Sequence, residues 1–165
     1  MRLGELAKIA RRRKLDLMLV TNEASIRALT GITCDNAILA VKRLCGCAVE
    51  RLGVALYTDF RYIPMVHRVA PKLKCRDLKR FTGEKRNPFR FKRVGYESSI
   101  SHVRFLEWQK KFPKAKFVDI SKDLAAIRAV KTPEEIAALR AAEKVFGSRN
   151  LHIKEPRGTT DRSIP

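Results

Sequence analysis

The chain has 165 residues, 45% of them hydrophobic, which suits one domain of ordinary size and excludes a chain disordered throughout. No apolar run approaches the ~20 residues that span a bilayer, and residues 1–5 open a charged periodic segment rather than a secretory leader, so a cytoplasmic protein is expected. Lys and Arg number 36 against 17 Asp and Glu, and the net charge of +19 attracts and steers polyanions.

In chain order, Leu3, Leu6, Ala7, Ile9 and Ala10 recur at helical spacing. The basic run Arg11-Arg12-Arg13-Lys14 closes that helix at the negative end of its dipole. Residues 15–20 read as a buried strand. Asn22 caps a short helix over 23–29, which Gly31 ends. Residues 37–41 and 53–58 are two further strands, joined by a basic connection that contains Cys45 and Cys47. A helix is predicted from Asp59 to about His67, with Pro64 tolerated in its early part. Residues 69–75 can hold a strand that Pro71 confines to an edge.

Residues 92–96 form the next strand. Ser101 then caps a helix carrying Phe105, Leu106, Trp108 and Phe112, which Pro113 ends. Residues 116–120 form the last strand, and Ser121 caps a helix over 122–130. The clearest start comes at Thr132-Pro133-Glu134-Glu135, a capping box with proline at the first helical position. Ile136, Leu139, Ala142 and Phe146 line one face of that helix. After Gly147 the period collapses, so the expected division is a domain over 1–147 and a mostly disordered tail over 148–165. Short apolar strands alternating with amphipathic helices argue for an α/β domain with a central sheet flanked by helices.

Chemistry-bearing motifs are sparse. Cys34, Cys45, Cys47 and Cys75 are expected to be reduced structural thiols, because Cys45-Gly46-Cys47 lacks the spacing of a zinc knuckle or a redox pair. His67 has no partners at metal-ligand spacing, and His102 and His152 build no H-E-x-x-H. No nucleophile elbow, P-loop or G-x-G-x-x-G is present. The expectation is therefore no catalytic residue, no cofactor site and no metal ligand within this chain. Asp59, Arg61 and Tyr62 are the best local candidates for a shared pocket or interface, since they follow a strand and open a helix, where α/β sheets present ligand-facing groups. Their structural alternative is a helix cap, an ion pair and a packed ring. A second candidate lies between residues 68 and 93, where Lys85, Arg86, Arg90 and Arg93 interleave with phenylalanines and could hold a polyanion.

Four blocks, in this order, resemble the N-terminal domain of the creatinase, prolidase and Xaa-Pro aminopeptidase family. Residues 19–31, LVTNEASIRALTG, are similar to the family's LVTN…NIRYLTGF, with Ala28 where an aromatic is common. Residues 55–62, ALYTDFRY, resemble LLTDGRY, with Phe60 replacing the usual glycine. Residues 94–97, VGYE, are similar to VGFE. Residues 124–142 resemble LRAIKTPEEIELLRKA. The likeness covers about residues 3–147.

That resemblance implies an α/β fold with a mixed sheet. In the family this domain usually precedes a pita-bread catalytic domain, whose two Asp, one His and two Glu hold a pair of divalent metals, manganese, cobalt or zinc. The N-terminal domain supplies dimer or tetramer contacts and in several members reaches over a neighbour's active site. By motif match Arg61, then Tyr62, would stand nearest such a shared pocket. The metals are expected only in a catalytic domain. The break after Gly147 is what a frameshift, an early stop or a truncated gene model would produce, and also what a stand-alone domain would show. The resemblance thus implies a non-catalytic structural, oligomerising or substrate-access domain, partnered by its own copies or by a separate metallopeptidase domain and not by a membrane. The alternatives are a basic protein that binds nucleic acid or another polyanion, and one half of a split Xaa-Pro peptidase.

Overall fold

The computed structural model describes residues 2–44, 51–83 and 91–147. Two compact units divide the chain, Met1–Ala129 and Val130–Pro165. In the first, β1 (Leu17–Val20) is buried at every position. Its side chains alternate: Leu17 and Leu19 enter one apolar cluster, Met18 and Val20 another. A strand buried on both faces reads as a continuous apolar run, which is how the sequence announces it.

Around β1 are α1 (Leu3–Arg12), α2 (Glu23–Thr30), β2 (Ile38–Leu44), β3 (Arg51–Thr58), a 3₁₀ turn (Phe60–Tyr62), α3 (Ile63–Val69), β4 (Lys74–Asp77), α4 (Leu78–Gly83), β5 (Arg93–Tyr96), α5 (His102–Lys111), β6 (Lys116–Asp119) and α6 (Ser121–Ala129). The six strands form one sheet in the order β4-β3-β2-β1-β5-β6. Only β2 runs against the others, pairing antiparallel with β1 and β3. The β1–β5, β3–β4 and β5–β6 pairs are parallel. The sheet is therefore mixed and flanked by helices, as the resemblance implies.

One face carries Met18, Val20, Leu39, Val41 and Leu56 against Leu6 and Ile9 of α1, Ile26 and Leu29 of α2, Val66 of α3 and Leu124 of α6. The other carries Leu17, Leu19, Ile38, Ala40, Tyr57 and Val94 against Phe81 of α4 and Trp108 of α5. Each such leucine or isoleucine contributes about 1.5–3 kcal/mol on burial. The second face is the more aromatic, with Tyr57 and Phe81 edge to face at 5.2 Å.

Local signals explain the ends of several elements. Asn22 Oδ1 accepts from Ser25 N at 3.2 Å, and Gly31 closes α2 at φ 78°, a left-handed conformation that favours glycine. Ser101 caps α5, its hydroxyl accepting from Arg104 N at 3.3 Å.

Three expectations need correction, and one element is new. The segment from Asp59 is a 3₁₀ turn followed by α3, not one helix from Asp59 to His67, because Asp59 caps the tight turn and Pro64 then sits in the first turn of α3. The edge strand begins at Lys74 rather than 69, since residues up to 69 remain helical and Pro71 lies in the connection. The short helix α4 was not anticipated. Ser121 is the first residue of α6 rather than its cap, and Asp119 accepts from both its N–H and its hydroxyl.

The second unit contains α7 (Pro133–Gly147). Its start has the anticipated geometry: Glu135 Oε2 accepts from Thr132 N at 2.8 Å, and Thr132 Oγ1 accepts from Glu135 N at 3.2 Å. The expectation for residues 148–165 and those for Cys45 and Cys47 fall outside the described residues. Cys34 and Cys75 are free thiols. Burial pushes both up from the ordinary thiol range, so neither is poised as a thiolate.

Candidate functional site

Five strands point the same way, so their carboxyl ends gather along one edge of the sheet. Four of them finish at an acid: Asp59 after β3, Asp77 in β4, Glu97 after β5 and Asp119 in β6. Each acid meets the unsatisfied N–H groups of a turn or helix start, the natural partners of a carboxylate there. Asp59 Oδ1 accepts from Arg61 N at 3.0 Å, Asp77 Oδ1 from Lys79 N at 2.7 Å, and Asp119 Oδ1 from Ser121 N at 2.8 Å. Burial raises Asp119, but the Ser121 and Ser98 hydrogen bonds outweigh it and hold the group below its usual range.

Glu97 differs because it caps a helix distant in sequence. It is only 3% exposed. Its Oε2 accepts from Thr21 N at 3.0 Å and Asn22 N at 2.9 Å, and its Oε1 accepts from Ser25 Oγ at 2.6 Å. Arg128 Nη1 stands 3.8 Å from Oε1 and also donates to the Ser25 hydroxyl. One buried carboxylate thus joins β1's exit, the start of α2 and the end of α6. Three of the four resembling blocks meet at this point: residues 19–31, 94–97 and 124–142. Sequence reasoning quoted Glu97 in its motif but assigned it no role. The available signal was a lone acid directly after Val94-Gly95-Tyr96, with Lys92 and Arg93 at the opposite end of that strand.

Asp59, Arg61 and Tyr62 come together on the 3₁₀ turn. Arg61 Nε donates to Asp59 Oδ1 at 3.0 Å, and Tyr62 Oη donates to Asp35 Oδ2 at 3.0 Å. The side-chain and backbone hydrogen bonds from Arg61 hold Asp59 below the usual carboxylate range. The hydrogen bond to Asp35 and that residue's charge raise Tyr62. Tyr62 also packs its ring against the core. The structural alternative therefore describes real contacts: cap, ion pair and packed ring. The turn nonetheless presents a surface, because Phe60 between these residues is 65% exposed. Beside it opens a cleft of about 370 Å³ lined by Asn36, Asp59, Phe60, Asp77, Leu78 and Lys79.

Of the basic candidates, Lys85, Arg86 and Arg90 lie outside the described residues. Arg93 is described, and its Nε and Nη2 both donate to the carbonyl of Arg13, at 3.2 and 3.0 Å. That guanidinium ties β5 to the end of α1. Among the described residues no group of three or more His, Cys, Asp and Glu is arranged to hold a metal ion. No helix among them is long and apolar enough to cross a membrane.

Residues 2–130 match the model of the Creatinase/Prolidase N-terminal domain. Among solved structures, the chain is similar to the prolidase from Pyrococcus furiosus, at 20% identity and a TM-score of 0.72, over 94% of this chain and 48% of that one. The X-Pro aminopeptidase from Thermotoga maritima is comparable, at 20% identity and a TM-score of 0.70, over 93% of this chain and 44% of that one. The N-terminal domain of the cytoplasmic peptidase PepQ from Mycobacterium tuberculosis matches at 22% identity and a TM-score of 0.61, over 74% of this chain and 95% of that one. The chain spans about half the length of the prolidase and of the aminopeptidase. Identities at this level speak for the fold. No curated protein sequence matches the chain.

Proposed function

The chain belongs to the creatinase/prolidase N-terminal domain family, and from that premise we propose that it acts as a non-catalytic assembly module of an Xaa-Pro peptidase system. The surface it offers is the turn after β3. Asp59, Arg61 and Tyr62 form the contact with a second copy, and Arg61 borders the pocket that a metallopeptidase domain would share with that assembly. The single observation that carries this reading is Phe60, 65% exposed at the strand-end edge. A large ring bare to solvent beside an ordered ion pair has the makeup of an interface anchor with a polar rim.

Hydrolysis needs converging ligands for its metals. In this proposal those ligands and their manganese, cobalt or zinc belong to a catalytic domain, and this domain limits access to it. The test is Xaa-Pro dipeptide hydrolysis by the chain alone, stripped of metal and then given manganese. The expected rate is that of buffer with manganese. Metal-dependent turnover by this chain alone would overturn the reading.

A further inference from the structure

On the aromatic side of the sheet, α4 and α5 leave an open cleft of about 540 Å³. Its floor is apolar, made by Ile38 at the start of β2, Leu78 and Phe81 of α4, and Trp108 of α5. Its rim is cationic, with Arg104, Lys110 and Lys111 against the single acid Glu107. Arg104, Trp108 and Lys111 lie at i, i+4 and i+7, so they share one face of α5 over about 10 Å of helix. Two of the cations are held in place. Arg104 Nη2 donates to Asn36 Oδ1 at 2.6 Å. The Lys111 ammonium donates to the Phe81 carbonyl and stands 4.5 Å from the centre of the Phe81 ring.

We propose that this cleft binds a phosphate ester carrying a planar base, that is, a nucleotide, either free or within a single strand. The volume lies within the about 300–1,000 Å³ usual for ligand pockets. Three cations against one acid, on a chain of net charge +19, favour phosphate. Ile38 and Trp108 are only 3% and Phe81 7% exposed, so the floor offers a base a small apolar contact while the cations hold its phosphate. The cleft adjoins the one beside the strand-end turn, with Leu78 lining both, but its cations lie on α5, and Trp108 emission reads it without reference to assembly.

Trp108 is the chain's one tryptophan, so its emission reports on the cleft directly. The experiment titrates the full chain with hexathymidylate, thymidine monophosphate, inorganic phosphate and hexaglutamate while following Trp108 fluorescence. Saturable quenching by one or both thymidine ligands, weakened by added salt and at least tenfold stronger than that by phosphate or hexaglutamate, is the expected result. Equal affinity for the monophosphate and the hexamer assigns the site to a free nucleotide, and tighter binding of the hexamer assigns it to a strand. Lys110→Glu should weaken binding about tenfold, while Lys122→Glu, the same charge change on α6, leaves it within about twofold. Melting curves confirm that both variants fold. Unchanged Trp108 emission, equal losses in the two variants, or hexaglutamate binding as tightly as the nucleotides would overturn the proposal.

Discussion

Replacing Glu97 with alanine removes the acceptor of two backbone N–H groups and of the Ser25 O–H, and the countercharge 3.8 Å from Arg128, at a buried site. Losing one partner of a buried charged network costs several kcal/mol, and Arg128 is partly open to water, so about 3 kcal/mol is expected in urea unfolding. Glu97→Gln retains one acceptor and should cost about half as much. A loss below about 1 kcal/mol for alanine would mean that α2 and Arg128 find other partners. This residue was legible only as a letter in a motif, because its partners lie more than 70 positions before it and 31 after it. Asp59 and Arg61 are two residues apart, and their pairing was readable as cap and ion pair. Asp59 is held low, so the bond from Arg61 contributes above the ordinary carboxylate range and is lost as pH falls through the folded value. In Arg61→Ala, the Asp59 carboxyl should titrate at a higher pH by NMR. Tyr62 is held high, so its bond to Asp35 is fully present below the ordinary tyrosine range and is lost as pH rises through the folded value. Tyr62→Phe should remove a late-ionising tyrosine from the ultraviolet titration.

At the scale of elements, the legible ones carry their own punctuation. Asn22 and Gly31 bracket α2, and Thr132 with Glu135 opens α7, through contacts no more than four residues apart. Thr132→Ala should cost the start of α7 about 1 kcal/mol, seen as faster amide exchange in its first turn. Unchanged exchange there would show that the box adds nothing to the helix. Two elements were misread or missed for a different reason. β4 is a short edge strand, partly exposed at most positions, and its place is set by pairing Leu56 with Cys75 and Thr58 with Asp77 across the sheet. The six-residue α4 has no period long enough to read, and it is fixed by Asp77 at its start and by Phe81 against Tyr57. Both depend on contacts that a local pattern cannot reveal. Gly95 in β5 was likewise silent in the sequence. A methyl there would lie 2.8 Å from Leu15 Cδ1 and 3.2 Å from Ile120 Cδ1. Gly95→Ala is therefore expected to destabilise by about 1–3 kcal/mol, measured as a lower urea midpoint. An unchanged midpoint would show that these side chains yield freely.

For the whole molecule, the strand order and the matched residues 2–130 place the chain in its family, while function rests on which surfaces are used. The aromatic cleft and the cleft beside the strand-end turn adjoin at Leu78, and charge separates their predictions. Salt should weaken nucleotide binding at the cleft, whereas an interface anchored by Phe60 should tolerate it. The mixed sheet flanked by helices was legible from alternating apolar strands and amphipathic helices together with the four resembling blocks. The convergence of three of those blocks on Glu97 was not, because it exists only once the sheet is assembled. The most direct test of the assembly reading is the solution mass of the full chain and of Phe60→Asp by sedimentation, with folding checked by circular dichroism. The account predicts a wild-type species heavier than the 18.9 kDa chain that falls to the single-chain mass in the variant. A wild type that stays at 18.9 kDa at every concentration, or a folded variant that associates as tightly as the wild type, would contradict it.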